Sequence, residues 1–191
     1  DSAGVPVART VPGGFLDLVI SAAASDFAPP ELMALLKHPL TLLGREPAKI
    51  REAARLLERI AFRDIYVGQG LEGAAEAVRA ARDKEGRRSA VSRDDERVAL
   101  RLVEDLQDAF APLSALFADK HPHTAACLAE AHGAAAEALA KDRAGSSSHL
   151  WQGTAGEAMS VLLAELIAEG GSVLLAPADY APFYRSLLAG R

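Results

Sequence analysis

A single cysteine, Cys127, leaves this chain without an internal disulfide, and cysteine used this sparsely fits a reducing compartment, so a cytoplasmic location is expected. Aromatic residues make up only 5% of the 191 residues, which argues against a sheet core built from aromatic and β-branched side chains. No apolar run is long enough to cross a bilayer, and the N-terminus lacks the charged-then-apolar layout of a secretion signal, so no membrane partner is expected. Also missing is the glycine loop ending in lysine, followed by a strand tipped with a metal-holding acid, that grips a nucleotide. Gly68-Gln69-Gly70 has no such lysine, and Asp94-Asp95-Glu96 follows Ser92-Arg93 with no strand behind it. No cofactor and no catalysis are expected.

Half of the residues are hydrophobic and alanine is abundant, which points to helices that pack closely through small side chains. The fold class expected is all-α, an irregular bundle of about seven to eight helices. The formal net charge of -5 excludes a surface that is basic all over, so any nucleic-acid face must be local. Residues 1 to 12 carry two prolines and no helical period and are read as an extended arm. Residues 13 to 191 are read as one helical domain. The chain opens on Asp1, in the middle of a pattern, as a piece of something longer would.

The stretch from Phe15 to Leu40 joins two helical patterns through Pro29-Pro30. Phe15, Leu18, Val19 and Ala22 mark the first, entered at Pro12-Gly13-Gly14, while Leu32, Leu35 and Leu36 mark the second, started by Pro30. Pro39 ends the second helix, placing Lys37 and His38 where a cation can meet its carbonyl end, with His38 read as a structural residue of the helix end. A third helix runs from Glu46-Pro47 to about Arg63 with Ile50, Ala53, Ala54, Leu57, Ile60 and Ala61 inside. A fourth covers Leu71 to Ala81, and the charged segment from Arg82 to Arg93 reads as a flexible loop. Asp94-Asp95-Glu96 opens a fifth helix with Ala99, Leu102, Val103, Leu106, Phe110 and Leu113 in its stripe, which Pro112 is expected to kink or break. Thr124 to Ala140 is a sixth, burying Ala125, Leu128, Ala129, His132, Ala135, Ala136 and Leu139. A seventh carries Ala155, Met159, Leu162, Leu163, Leu166 and Ile167 in register, closed by Gly170-Gly171 in a left-handed cap. Val173 to Leu175 is brief and extended, and Pro177 and Pro182 bracket the start of a last helix.

His121, His123, Cys127 and His132 invite a zinc reading, but Cys127 and His132 diverge by about 140° on one helix. His132 is expected to be a hydrogen-bonded core residue, His121 and His123 loop residues, Cys127 a buried thiol, and no metal is expected. Ser146-Ser147-Ser148-His149 reads as a capping run and not as a nucleophile with its base. Glu104 and Asp108 share a helix face without any sign of a cleft. The surface that stands out is on the third helix, where Arg51, Arg55 and Arg59 recur every four residues, continued by Arg63 and flanked by Lys49. Such a row can meet phosphates, though Glu52 and Glu58 interrupt it. Lys84, Arg87, Arg88 and Arg93 form a second, weaker basic group.

Several segments, in order, carry a family resemblance. They are Gly4-Val5-Pro6-Val7-Ala8-Arg9-Thr10, Pro12-Gly13, Phe15, Asp26-Phe27-Ala28-Pro29 and Leu35-Leu36-Lys37-His38-Pro39-Leu40. Phe110-Ala111-Pro112-Leu113, Leu150-Trp151, Gly153, Ala155-Gly156-Glu157-Ala158 and Leu175-Ala176-Pro177-Ala178-Asp179-Tyr180 continue the series. Their order resembles AddB, the helicase-like subunit of the AddAB double-strand break repair helicase-nuclease, in its alphaproteobacterial form. The resemblance implies a helical region inserted in the second RecA-like half of a larger subunit, packed beside the DNA path, with the rest of that subunit and an AddA-like helicase-nuclease subunit as partners. The nuclease and nucleotide-binding motifs of the family lie outside these residues. The alternative expectation is a stand-alone helical adaptor that recognises a protein partner.

Overall fold

The computed structural model describes residues 6–63, 66–83 and 91–190, with the side chains of Arg82 and Asp83 left aside. Eight α-helices occur among the described residues: α1 (Val11–Ala24), α2 (Pro29–Lys37), α3 (Pro47–Ala61), α4 (Gly70–Asp83), α5 (Arg93–Ala118), α6 (Ala125–Ala140), α7 (Gly153–Glu169) and α8 (Pro177–Ala189). Two short strands, β1 (His123–Thr124) and β2 (Leu174–Leu175), pair antiparallel with His123 opposite Leu175. The all-α expectation holds. The charged stretch of residues 84–90 and the first five residues of the expected arm lie outside the described residues.

From residue 6 onward the expected arm is folded. Val7–Arg9 form a 3-10 turn, and the Thr10 hydroxyl donates to the Val7 carbonyl at 2.6 Å while accepting from the Gly13 N–H at 3.2 Å. Thr10 is thus the N-cap of α1, two residues before the entry read from Pro12-Gly13-Gly14, because a capping hydroxyl satisfies an orphan donor where glycine cannot. α1 is the hub, packing against α2, α5, α6, α7 and α8. It buries Leu16 and Ile20 as well as Phe15, Val19 and Ala22, while Leu18 is only partly covered. A helix enclosed on several sides has no single apolar stripe for periodicity to find.

α5 spans 26 residues and lies against α6, with α3 and α4 packed on its other sides. On α3 the buried set is the one the spacing predicts, Ile50, Ala53, Ala54, Leu57, Ile60 and Ala61. Each large aliphatic side chain fully removed from water there contributes roughly 1.5–3 kcal/mol. The alanine face of α6 is likewise buried as expected, which lets α1, α5 and α7 approach closely. The segment after α2 closes the far end of α6: the Leu42 and Leu43 N–H groups both donate to the Leu139 carbonyl at 2.9 Å, and Gly44 N–H donates to Lys141 at 2.7 Å.

Three local expectations are corrected. Pro112 does not break α5, which continues to Ala118; Pro112 is exposed, so the hydrogen bond it deletes falls on the solvent side, where water can serve the orphan carbonyl. Pro182 likewise sits inside α8, exposed, and not at its start. Gly170 takes no left-handed cap, since its φ is -75. Glycine is needed there for close approach: a Cβ at 170 would lie 2.8 Å from the Ala126 nitrogen and 3.1 Å from the Ala125 Cβ. Gly170→Ala should therefore destabilise the fold by about 1 kcal/mol or more in thermal denaturation, whereas Gly171→Ala, with nothing within 4 Å of the new Cβ, should leave the melting temperature nearly unchanged.

His38 is a structural residue of the helix end, as expected: it is the C-cap of α2. Its ring stacks on Phe15 with centroids 5.1 Å apart, and Nδ1 accepts the Leu40 N–H at 3.3 Å. Burial pushes the His38 pKa down, so it is a neutral acceptor and not a cation at the end of α2. The charge there belongs to Lys37, which pairs with Glu58 at 3.1 Å.

Candidate functional site

The arginine row of α3 follows from its helical register. With the apolar residues turned inward, Arg51, Arg55 and Arg59 fall on the solvent face, drifting by about 40° per step. All three are exposed. The two glutamates expected to interrupt the row are engaged by lysines: Glu52 with Lys49 at 2.9 Å, and Glu58 with Lys37 of α2. Arg59 pairs with Asp95 on α5 at 3.1 Å. Arg51, Arg55 and Arg63 have no ion pair with any described residue. The row is therefore unequal, with Arg51 and Arg55 open to an anion and Arg59 holding α3 to the start of α5. In the second basic group, Arg93 is exposed at the first position of α5, and Lys84, Arg87 and Arg88 lie outside the described residues.

The acidic triplet is a helix start. The Ser92 hydroxyl accepts the Asp95 N–H at 3.0 Å, and Asp94, Asp95 and Glu96 occupy the first turn, where carboxylates favour the amino end of the dipole. Glu104 pairs with Arg101 at 3.3 Å and Asp108 is exposed, so the two carboxylates form no site. Burial pushes the Asp105 carboxyl up, and the guanidinium groups of Arg45 and Arg101 pull it back. Sequence spacing could not find this triad, because Arg45 lies 60 residues away in the loop before α3.

Gly68-Gln69-Gly70 is no phosphate cradle either. A Cβ on Gly68 would stand 2.7 Å from the Tyr66 hydroxyl, and one on Gly73 would stand 3.0 Å from the same atom. The glycines at 68 and 73 make room for the Tyr66 side chain.

The histidines separate as their register requires. His121 Nδ1 lies 2.8 Å from one Asp119 oxygen and His123 Nε2 3.4 Å from the other, the latter too poorly aligned for a hydrogen bond. Hydrogen bonds from His121 hold the Asp119 carboxyl below its ordinary range. His123 belongs to β1 and not to a loop. Cys127 is exposed, contrary to expectation. Among the described residues no His, Cys, Asp and Glu group is arranged to hold a metal. In the serine run, Ser146 Oγ donates to Ser148 Oγ at 3.0 Å, Ser147 makes no capping bond, and no serine is bonded to His149.

His132 is fully buried, as its place on α6 predicts. Its Nε2 lies 2.9 Å from the Leu16 carbonyl and its Nδ1 3.2 Å from the Tyr180 hydroxyl. A carbonyl only accepts, so Nε2 carries the proton and Nδ1 accepts from Tyr180. The Tyr184 ring stands edge-on to the imidazole at 4.9 Å, and its buried hydroxyl has no partner among the described residues. Burial lowers the His132 pKa to about 4 and raises both tyrosines. Arg185 of α8 meets Asp17 and Ser21 of α1 at the edge of this cluster, both at 2.6 Å. The cluster ties α1, α6 and α8 together. It lies in the core, so it supports the fold.

No protein-family model, curated protein or solved structure matches this chain. Among the described residues no helix is long and apolar enough to cross a membrane.

Proposed function

We propose that this chain is a non-catalytic helical domain of an AddB-like subunit of a double-strand break repair helicase-nuclease, acting in the cytoplasm. It scaffolds the helicase-like module beside an AddA-like partner and touches DNA through the solvent face of α3. The observation that carries the DNA contact is the pair Arg51 and Arg55, exposed and without an ion pair to any described residue, next to the Arg59–Asp95 pair that holds α3 in place. The repair role rests on the ordered resemblance of segments from Gly4 to Tyr180.

Phosphate contacts act through counterion release, so they appear in the salt dependence of binding and are nearly blind to sequence. Replacing Arg51 and Arg55 together with alanine should lower the slope of log affinity against log salt by about 2 on duplex DNA, across unrelated sequences. Arg59→Ala should change that slope less and loosen the α3–α5 contact instead. An unchanged slope in the double variant would remove α3 from the DNA path.

A further inference from the structure

The short strand β2 has a free edge. In its antiparallel register Leu175 faces His123 and Leu174 faces Thr124, and the Ala125 N–H donates to the Val173 carbonyl at 2.8 Å. That bond marks Thr124 and Leu174 as the pair that exchanges no hydrogen bonds, so the Leu174 N–H and C=O point away from β1. Neither group has a hydrogen-bond partner among the described residues. The side chains are equally bare: Leu174 is 67% exposed and Val173 40%, while Leu175 packs against the core. An apolar edge with unpaired main-chain groups is a template for another strand.

The charges around this edge have one sign. From Ala144 to Tyr184 the sequence has no lysine or arginine, and β2 lies between Glu169 and Asp179, both exposed and without an ion pair to any described residue. Glu169 sits in the last turn of α7, where a carboxylate opposes the helix dipole and no basic residue offsets it. Such local conflicts collect at functional sites. Among the elements packed on α7 and β2, α1 and α6 carry no lysine or arginine, and Arg185 of α8 is held by Asp17 and Ser21. Arg9, in the 3-10 turn against α7 and α8, is the one lysine or arginine left among the described residues of these elements. We propose that β2 takes up, as an added strand, an extended apolar segment of a partner protein that carries lysine or arginine at its ends. The backbone of that segment meets the Leu174 N–H and C=O, its apolar side chains cover Leu174 and Val173, and its cations meet Glu169 and Asp179. A second copy of β2 fits poorly, because two-fold pairing about Leu174 brings the acids that flank both strands together. The same carboxylates repel nucleic acid. This surface lies on other elements than the DNA contact proposed for α3 and does not depend on it.

The test titrates the purified chain into a fluorescent synthetic peptide, acetyl-Lys-Val-Thr-Val-Thr-Val-Lys-amide, and reads anisotropy. Binding should saturate and weaken in high salt. Two altered peptides should each bind about tenfold more weakly or worse. One has glutamate in place of lysine; the other is N-methylated at every valine and threonine, which keeps its charge and apolar side chains but leaves no strand amide to donate. On the protein side, Leu174→Pro removes the edge donor and Glu169→Lys/Asp179→Lys reverses the flanking charge, and each should lower affinity about tenfold. Circular dichroism establishes that the variants are folded, and the N-methylated peptide tests the main-chain contact even if Leu174→Pro is not. Absence of saturable binding by the lysine-ended peptide overturns the proposal. Equal binding by the N-methylated peptide overturns it too, since side chains alone would then make the contact, as does equal binding by the glutamate-ended one.

Discussion

Acidification from pH 7 to pH 4 should destabilise the fold by about 3 kcal/mol through His132 alone, with the loss beginning near pH 6.5 and about 2 kcal/mol gone by pH 5. The imidazole titrates at 6.5 when exposed and at about 4 in the core, where burial opposes its charge. Between those values the unfolded chain binds a proton that the folded chain refuses. Stability is therefore complete above about pH 6.5, falls as pH falls, and loses nothing more from this group below about pH 4. Burial moves His38 in the same direction, so it adds to the loss. Protonation at Nδ1 also removes the acceptor used by the Tyr180 hydroxyl. Urea denaturation at a series of pH values measures the effect. His132→Gln should be less stable at neutral pH and have a flatter profile across the window. An imidazole resonance of His132 titrating near 6.5 would refute the assignment.

The two tyrosines beside it should respond to the same substitution with opposite signs. Tyr184→Phe removes a buried hydroxyl with no partner among the described residues and should stabilise the fold by about 1 kcal/mol. Tyr180→Phe removes the donor to His132 and strands a buried acceptor, at a cost of about 1–3 kcal/mol. Both side chains are fully buried, so the volumes deleted are alike and the difference reports the hydrogen bond. For a chain of this size each kcal/mol moves the melting temperature by about 2–4 °C. Equal shifts of the same sign would mean that neither hydroxyl is placed as described.

The contrast between these residues shows what the sequence could carry. The core place of His132 follows from one helix: it falls in the same stripe as Leu128, Ala135 and Leu139. Its partners do not, since Leu16 and Tyr180 reach it from elements 116 and 48 residues away. α3 divides the same way. Its inner face and the outward direction of Arg51, Arg55 and Arg59 are fixed by register, whereas the pairing of Arg59 with Asp95 and of Glu58 with Lys37 depends on which helices lie alongside.

Two errors were avoidable from register. Cys127 lies about 140° from the centre of the apolar stripe of α6, and Pro112 about 120° from that of α5, so each belongs to solvent. A proline so placed in a long, well-packed helix need not end it. The close passage of Gly170 against the start of α6 and the filling of the Gly68–Gly73 turn by Tyr66 left no local signal, because both are contacts between segments.

The domain reading is tested most directly by sequencing the reading frame that encodes this chain. The account predicts a frame several times longer than 191 residues, with nucleotide-binding and nuclease motifs of the helicase-nuclease family outside this segment. A frame that encodes little more than these residues would contradict it and leave a stand-alone helical adaptor.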